Sequence, residues 1–492
     1  MLFGPPVIGL AVPARPLTGQ RRLLYYSRKV TGGFMKNILL ALVFTLASAA
    51  PAFSQEAGQD FGSRVYKGLN GVSEVPAAVA PTPVENRAAA LAAKKAKPKE
   101  WTVMVFINGK NDLEIAGLYN VNMMEKIGSG KDLNIVVEHG RIAGHTDLDG
   151  DWTGSRRMLV KKDKNEDKVT SKVLMETKTV DMGDYKRVVD FMKWSKENFP
   201  AKRYMLIIWN HGTGWMDPRQ ESKGISFDDE TGNYIRTPQI GQILKEAYKV
   251  DILAFDACLM QMAEVAYEVK DHADVIVGAE ETVPGLGYPY DLFLGAMAKK
   301  PAMSTEETGA IMVEAFKMFY DAVKKNANLS AIRASKVTAL GVKMGEFAAL
   351  AKEVGDLDAL KAARNGVMRF DAVGEGSDPQ FTISFYGDVA QFAKLTADNL
   401  KEHPKAAELK AKAAALGTFI DTELVIHKGA SGKNRVGREM SESRGISVYL
   451  PPVETRITQT KLEGIFEAPY TDFAFDKAAR WHDFVTFVYE AK

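Results

Sequence analysis

The chain has 492 residues, of which 46% are hydrophobic and 26% are charged. These values are typical of a globular protein, and the length suits one large α/β domain with additions or two to three average domains. With 64 basic and 62 acidic side chains the net charge is +2, which gives no support for nucleic-acid binding.

The amino-terminal part has the pattern of targeting sequence. After Met35, a lysine precedes the apolar run 38–44 and a small-residue stretch, which is the layout of a secretory signal peptide with cleavage near Ser54. We expect residues 1–54 to be a leader whose true start is Met35, and the protein to be secreted or periplasmic. The apolar run is short for a membrane span, so we expect no stable span after cleavage; an uncleaved anchor is the alternative.

Residues 55–100 are rich in Pro, Ala and Lys and predict a linker or pro-segment. From Trp101 onward, apolar runs alternate with segments of helical spacing, which predicts a mainly parallel sheet covered by helices on both faces. The predicted strands are 102–107, 134–138, 204–209, 252–255 and 273–277, and the predicted helices between them are 111–127, 184–198 and 237–248.

The region beyond about residue 300 predicts a second, α+β subdomain. Its predicted helices are 305–324, 338–353 and 400–416, and its predicted strand is 445–450. We therefore divide the folded part into a core over 101–300 and a carboxyl-terminal subdomain over 301–492 that completes it.

Two candidate reactive residues follow two of the predicted strands. His211 lies two positions after the strand 204–209, and Cys258, the single cysteine of the chain, lies three positions after the strand 252–255. Reactive groups of open parallel sheets collect beyond the carboxyl ends of the strands. The intervening helix makes these strands neighbours, about 4.8 Å apart, so the two side chains can meet. A lone thiol in a secreted chain is either an inert buried group or a nucleophile.

The residues around Cys258 suit a nucleophile. A helix predicted over 260–269 would place Cys258 near its amino terminus and lower the pKa of the thiol. His211 would accept the thiol proton, and the N–H groups of Gly212 and Cys258 would form an oxyanion hole. Asp256 stands two positions before Cys258, where a carboxylate would favour Arg or Lys before the cut; a helix-capping role is the alternative. A structural histidine and an inert cysteine remain the alternatives for His211 and Cys258.

These residues lie in segments that resemble the clostripain family of cysteine peptidases. The similar segments are 101–114 (WTVMVFINGKNDLE), 204–215 (YMLIIWNHGTGW), 251–269 (DILAFDACLMQMAEVAYEV) and 445–451 (GISVYLP). The resemblance implies a caspase-like three-layer α/β/α sandwich with a mainly parallel central sheet and a carboxyl-terminal α+β subdomain.

The resemblance also implies an endopeptidase with a dyad of Cys258 and His211 that cuts proteins or peptides after Arg or Lys. Asp256 matches the acidic residue of the family's primary specificity pocket. Glu280 and Glu281, at the end of the next strand, are candidates for a second acid by position alone.

Self-cleavage between His211 and Cys258 is a further implication of the resemblance. Arg219 and Lys223 lie in a polar loop of this interval and are the candidate cleavage sites. We expect a monomer that can exist in a nicked, two-chain form.

Calcium is a possible requirement that the resemblance raises, although the chemistry needs no cofactor. Asp147, Asp149 and Asp151 alternate along the chain, but Trp152 stands where a calcium loop needs glycine and Met158 where it needs a bidentate Glu. We therefore predict a solvated acidic turn and assign no metal site.

Two other function classes are weighed against the peptidase. A metal hydrolase would use His139, His145, Asp147 and Asp149, whose spacing fits none of the common zinc motifs. A non-catalytic surface or binding module would keep the same fold as a scaffold, since fold does not fix function.

Overall fold

The computed structural model describes residues 97–165, 168–215, 224–370, 385–434, 436–451 and 470–490. The predicted leader, nearly all of the predicted linker, and both candidate cleavage sites, Arg219 and Lys223, lie outside the described residues.

A large sheet forms the centre of the protein. Nine of the described strands are joined in the order β13-β10-β9-β8-β5-β1-β2-β3-β4. The strands β2, β1, β5, β8 and β9 run parallel, and the flanking strands pair antiparallel. These strands are β1 (Lys99–Gly109), β2 (Leu133–Arg141), β3 (Gly154–Leu159), β4 (Val173–Thr177), β5 (Ala201–Trp209), β8 (Val250–Asp256), β9 (Ala273–Gly278), β10 (Ala327–Arg333) and β13 (Val425–Ser431).

Two smaller sheets accompany the central one. The hairpin of β6 (Ile225–Asp228) and β7 (Asn233–Ile235) follows the loop after β5. The other small sheet joins β11 (Arg369–Phe370), β12 (Tyr386–Asp388) and β14 (Ser447–Tyr449) in the carboxyl-terminal region.

Helices cover both faces of the central sheet. The described helices are α1 (Glu114–Glu125), α2 (Tyr185–Asn198), α3 (Thr237–Glu246), α4 (Ala263–Val269), α5 (Tyr290–Lys299), α6 (Thr305–Val323), α7 (Val337–Val354), α8 (Leu357–Gly366), α9 (Val389–Asn399), α10 (Ala406–Phe419), α11 (Ala474–Ala479) and α12 (Trp481–Glu490). Among these described helices, we find none with the length and apolar character needed to cross a membrane.

Alternation along the central strands explains the three layers. Phe106 and Ile208 point to the face covered by α2, α3, α4 and α7, whereas Val105 and Ile207 point to the face covered by α1, α5 and α6. Successive side chains of a strand face opposite ways, so a strand that is apolar throughout must be covered on both sides. The predicted three-layer architecture with a mainly parallel sheet is confirmed.

The predicted core strands agree with β1, β2, β5, β8 and β9, while the sheet edges were not predicted from the sequence. The edge strands β3 and β4 carry charged residues, and β10 and β13 lie beyond residue 300. The predicted boundary near residue 300 therefore falls between β9 and β10, which are neighbours in one sheet.

Candidate active site

The loops that follow β5 and β8 meet at one edge of the central sheet. The two strands are parallel neighbours, and their register pairs Trp209 with Asp256. His211 and Cys258 each lie two residues beyond that pair, at the same level past the sheet. A Cβ atom added to Gly212 would lie 2.4 Å from the carbonyl oxygen of Cys258. The two backbones are therefore in contact here, and no residue larger than glycine fits.

The Cys258 thiol is half-buried and lies against the backbone of Val283. Its Sγ accepts a hydrogen bond from the N–H of Val283 at 3.3 Å. Burial raises the pKa of the thiol to about 11; the carboxylates of Glu281 and Asp256 add to this, while the N–H groups of Val283 and Gly212 oppose it. The thiol is therefore protonated at neutral pH in this structure.

The expectation of a thiol activated by a helix amino terminus is wrong. The helix α4 begins at Ala263, with Met262 as its N-cap, so Cys258 lies four residues before the cap. The electrostatic effect of a helix falls off within about one turn, and the short helix α4 does not offset the burial of the thiol. The pKa of Cys258 is raised, in the opposite direction from the one expected.

The residue after Cys258 holds an uncommon backbone conformation. Leu259 has a φ of 59° although it is not glycine, and its side chain is buried. Such a conformation costs about 1 kcal/mol or more and persists where the surroundings fix it. The N–H of Leu259 donates to the carbonyl oxygen of Glu281 at 3.2 Å, which ties the Cys258 turn to the end of β9.

The His211 ring is bound by a carboxylate that the sequence analysis missed. Its Nε2 lies 2.8 Å from Oδ1 of Asp112, in the loop between β1 and α1. Burial disfavours the protonated ring and lowers the pKa of His211. The carboxylates of Asp112 and Asp229 favour the protonated ring by more, so the pKa of His211 is raised. The available signal was the position of Asp112 shortly after the predicted strand 102–107, because polar residues that follow parallel strands collect at one edge of the sheet.

Asp256 lies buried at the end of β8. Its Oδ2 accepts hydrogen bonds from the N–H of Tyr288 at 3.0 Å and from the hydroxyl of Tyr290 at 2.9 Å. Burial raises the pKa of Asp256 to about 7, although both hydrogen bonds favour the carboxylate. Both hydrogen bonds go to one carboxyl oxygen, and the carboxyl group lies against Gly287.

The two glutamates after β9 lie in different surroundings. Glu281 is close enough to Cys258 for its charge to raise the pKa of the thiol. Glu280 is directed toward the carboxyl-terminal region, where its Oε2 accepts from the N–H of Gly445 at 3.0 Å and burial beside Asp388 raises its pKa well above the usual value. We therefore retain Glu281 as a candidate substrate-binding residue and no longer propose Glu280 for that role.

The acidic segment after β2 is organised by protein groups. Oδ1 of Asp149 accepts from the N–H of Val169 at 3.1 Å, and Arg141 pairs with Glu114 at 2.6 Å beneath the segment. His139 is fully buried, and burial lowers its pKa to about 3. Within the described ranges, His, Cys, Asp and Glu side chains form no group of three or more able to hold a metal ion.

The carboxyl-terminal region contacts both active-site loops. The hydroxyl of Tyr386 donates to the carbonyl oxygen of Thr213 at 2.7 Å, two residues after His211. On the other loop, the N–H of Ser447 donates to the carbonyl oxygen of Gln261 at 3.1 Å. The sequence predicts that this region completes the core. In the structure the region also fixes the two loops that carry His211 and Cys258.

Comparison with known proteins identifies the family. The sequence model of the Clostripain family matches residues 105–487. The chain belongs to the clostripain family. Clostripain from Hathewaya histolytica is 29% identical over 222 residues, which are 40% of this chain and 42% of clostripain. The aligned part thus spans less than half of the length of that relative.

Solved structures show the same fold. The chain is similar to the secreted C11 cysteine protease iotapain from Bacteroides thetaiotaomicron, with a TM-score of 0.57 and 17% identity over 78% of this chain and 100% of that one. It is also similar to an inactive zymogen C11 protease from Parabacteroides distasonis, with a TM-score of 0.55 and 18% identity over 78% of this chain and 99% of that one. These similarities confirm the fold class expected from the sequence.

Proposed function

We propose that this protein is a cysteine endopeptidase in which Cys258 is the nucleophile and His211 the general base and acid. The observation that carries the proposal is the pairing of β5 with β8, which brings the two residues to one edge of the sheet. The close approach of the two loops supports it, because a Cβ atom added to Gly212 would lie 2.4 Å from the carbonyl oxygen and 3.2 Å from the backbone nitrogen of Cys258. Backbone N–H groups beside a nucleophile can stabilise the charge that develops on an attacked carbonyl oxygen.

The proposed reaction has two stages. In the first, Sγ of Cys258 bonds to the carbonyl carbon of the substrate while His211 accepts the thiol proton. The N–H groups of Gly212 and Cys258 stabilise the oxyanion, the C–N bond breaks, and His211 returns the proton to the leaving amine. In the second stage, water attacks the carbonyl carbon of the thioester while His211 accepts a proton from it. The C–S bond then breaks, the carboxylic acid product leaves, and His211 returns the proton to Sγ of Cys258.

The protonated thiol sets a condition on the first stage. With a pKa of about 11, Cys258 is not a preformed thiolate at neutral pH, so the proton must leave as the substrate binds or as the C–S bond forms. The His211 ring and the thiol each hydrogen-bond a different group in this structure, namely Asp112 and Val283. We propose that the contact between ring and thiol through which the proton moves is made when the substrate binds.

We propose specificity for Arg or Lys before the scissile bond, read by Asp256. Support comes from its buried carboxyl group, which is two residues from the nucleophile and keeps one oxygen clear of the Tyr288 and Tyr290 hydrogen bonds. Glu281 adds negative charge beside Cys258. A buried carboxylate binds a guanidinium or ammonium group strongly because little water competes with it.

The decisive experiment is cleavage of a peptide library by the wild type beside Cys258→Ala, under reducing conditions with and without calcium. We expect cuts after Arg or Lys by the wild type, none by the variant, and iodoacetamide labelling at Cys258. Absence of cleavage by the wild type, also after limited proteolysis, would favour the non-catalytic scaffold. Loss of activity with a chelator that calcium does not restore would favour a metal hydrolase.

We propose that the protein cuts itself after Arg219 or Lys223, on the strength of their position between His211 and Cys258. The chain should separate into two fragments in a denaturing gel, and Cys258→Ala should stay intact. An Arg219→Gln/Lys223→Gln double variant should also stay intact while retaining its thiol. Identical fragments from Cys258→Ala would point to another protease.

We propose a secreted or periplasmic location, supported by the signal-like segment after Met35. The similar Bacteroides thetaiotaomicron structure is described as a secreted protease. Mass spectrometry of the mature protein should find its amino terminus near Gln55. A mature protein that retains residues 35–54 would support the uncleaved anchor.

A further inference from the structure

We propose that Asp112 is a positioning residue that fixes the tautomer of His211 and so decides which ring nitrogen exchanges protons with Cys258. This inference rests on the proposed function, because it concerns the proton that moves between those two residues.

The direction of the His211–Asp112 hydrogen bond follows from the chemistry of its partners. An ionised carboxylate can only accept, so the Nε2 that lies 2.8 Å from Oδ1 of Asp112 must carry a proton and donate. In the neutral ring the other nitrogen, Nδ1, then holds the lone pair. Nδ1 is therefore the atom of His211 that accepts the proton of the Cys258 thiol and returns it to the leaving amine.

Asp112 is held between anchored neighbours. On one side, Nδ2 of Asn111 donates to the carbonyl oxygen of Phe227 at 2.9 Å. On the other side, Glu114 is buried and pairs with Arg141 at 2.6 Å. The Asp112 side chain is itself 43% exposed, so its position depends on the backbone to which it is attached. This loop geometry presents a carboxylate to His211 before any substrate binds.

Two carboxylates act on the pKa of His211, and they differ in how they act. Carboxylates of Asp112 and Asp229 both act on His211 and raise its pKa, but of the two only Asp112 contributes through a hydrogen bond as well as through charge. The partial burial of Asp112 disfavours its carboxylate, but the charges of His211 and His145 and the hydrogen bond to His211 outweigh this effect and lower the pKa of Asp112. Asp229 is therefore a matched control, because it supplies the same charge without the same hydrogen bond.

The experiment compares Asp112→Ala, Asp112→Asn and Asp229→Asn with the wild type. Activity is measured on a peptide ending in Arg before a fluorescent leaving group. We expect kcat/KM to fall about 10- to 100-fold in Asp112→Ala, which is below most general acid–base effects because the exposure of the pair weakens the interaction. The loss should lie in kcat, and Asp112→Asn should lose less because its amide oxygen still accepts from Nε2. Asp229→Asn should change kcat/KM by less than about threefold.

Two further readouts separate positioning from a structural role. The limb of the pH profile that reports His211 should move to lower pH in both Asp112 variants and less in Asp229→Asn. Nitrogen-15 NMR of the histidine rings should find His211 as the Nε2–H tautomer in the neutral wild type, with His211→Gln used to assign the signal. The NMR measurement is independent of activity.

Three outcomes would overturn the inference while leaving the proposed function intact. One is an active wild type whose neutral His211 is the Nδ1–H tautomer. The second is a folded Asp112→Ala with unchanged kcat/KM and an unchanged pH profile. The third is an equal shift of the His211 limb of the pH profile in Asp112→Asn and Asp229→Asn, which would show that Asp112 acts on His211 through its charge alone. If Asp112→Ala fails to fold, Asp112→Asn carries the test. A wild type without peptidase activity would instead refute the proposed function.

Discussion

The proposed role of Asp256 as the reader of a basic substrate residue makes substrate recognition depend on pH. Burial raises the pKa of this carboxyl group to about 7, so at neutral pH about half of the protein holds it protonated. A guanidinium or ammonium group binds the carboxylate and not the acid. Binding of Arg or Lys therefore has to remove a proton from Asp256 whenever the pH is below its pKa.

The size of this effect follows from the pKa. With a value of about 7, the ionised fraction of Asp256 is about 3% at pH 5.5 and about 97% at pH 8.5. The preference for a charged over a neutral residue before the cut should thus rise about 30-fold across this range.

The assay compares two substrates that differ in charge alone. One peptide carries Arg before the scissile bond and the other carries citrulline, its neutral isostere. The ratio of their kcat/KM values cancels the titration of Cys258 and His211, which affects both peptides. In Asp256→Asn the ratio should become independent of pH, and kcat/KM for the Arg peptide at pH 8.5 should fall about 10- to 100-fold, as expected for a hydrogen bond to a charged group.

Asp251→Asn provides the matched control, because Asp251 lies near the opposite end of the same strand. It should leave the ratio and its pH dependence as in the wild type. A ratio that does not change with pH in the wild type would refute the reasoning from the buried carboxyl group. A ratio that still rises with pH in Asp256→Asn would assign the effect to another acid, with Glu281 the first to test.

Three further predictions concern the supports of the site. Gly212→Ala should abolish cleavage and lower the melting temperature, because its Cβ would lie 2.4 Å from the carbonyl oxygen of Cys258. Tyr386→Phe should destabilise the protein by about 1 kcal/mol and lower kcat, because it removes the hydrogen bond to Thr213. Glu280→Gln should raise the melting temperature at pH 8 and change it little at pH 4. The pKa of Glu280 is higher in the folded than in the unfolded protein, so the stability that is present below pH 4.5 is lost as the pH rises and Glu280 has to ionise in the folded state. Glutamine carries no ionisable proton and therefore removes this loss.

Each of these variants has a control or an opposing outcome. Gly130→Ala should be neutral, because an added Cβ there meets no atom within 4 Å. Glu402→Gln, at an exposed position, should leave the pH dependence of the melting temperature unchanged. An active Gly212→Ala would contradict the contact between the two loops. For Tyr386→Phe, unchanged kcat and stability would show that the carboxyl-terminal region does not hold the His211 loop through this bond.

The central strands could be read from the sequence because their signal is local. The run at β1 is apolar on both faces, which is what burial between two helical layers requires. Edge strands are only partly covered, so β3 reads GSRRML and gives no comparable signal. The strands β10 and β13 were missed because they read ANLSAIR and VIHKGAS, in which polar residues interrupt the apolar run.

The order of residues along the chain was enough to place His211 and Cys258 at the same edge of the sheet. Alternating strands and helices impose parallel neighbours, and the carboxyl ends of parallel strands lie together. The sequence therefore determined the fold class, the family and the two candidate reactive residues. Protonation was decided by the tertiary structure, because a pKa depends on the burial and charges contributed by distant segments. Folding brings Glu281 and Val283 to Cys258, and Asp112 to His211. Folding also turns Glu280 toward Gly445, away from its neighbour Glu281.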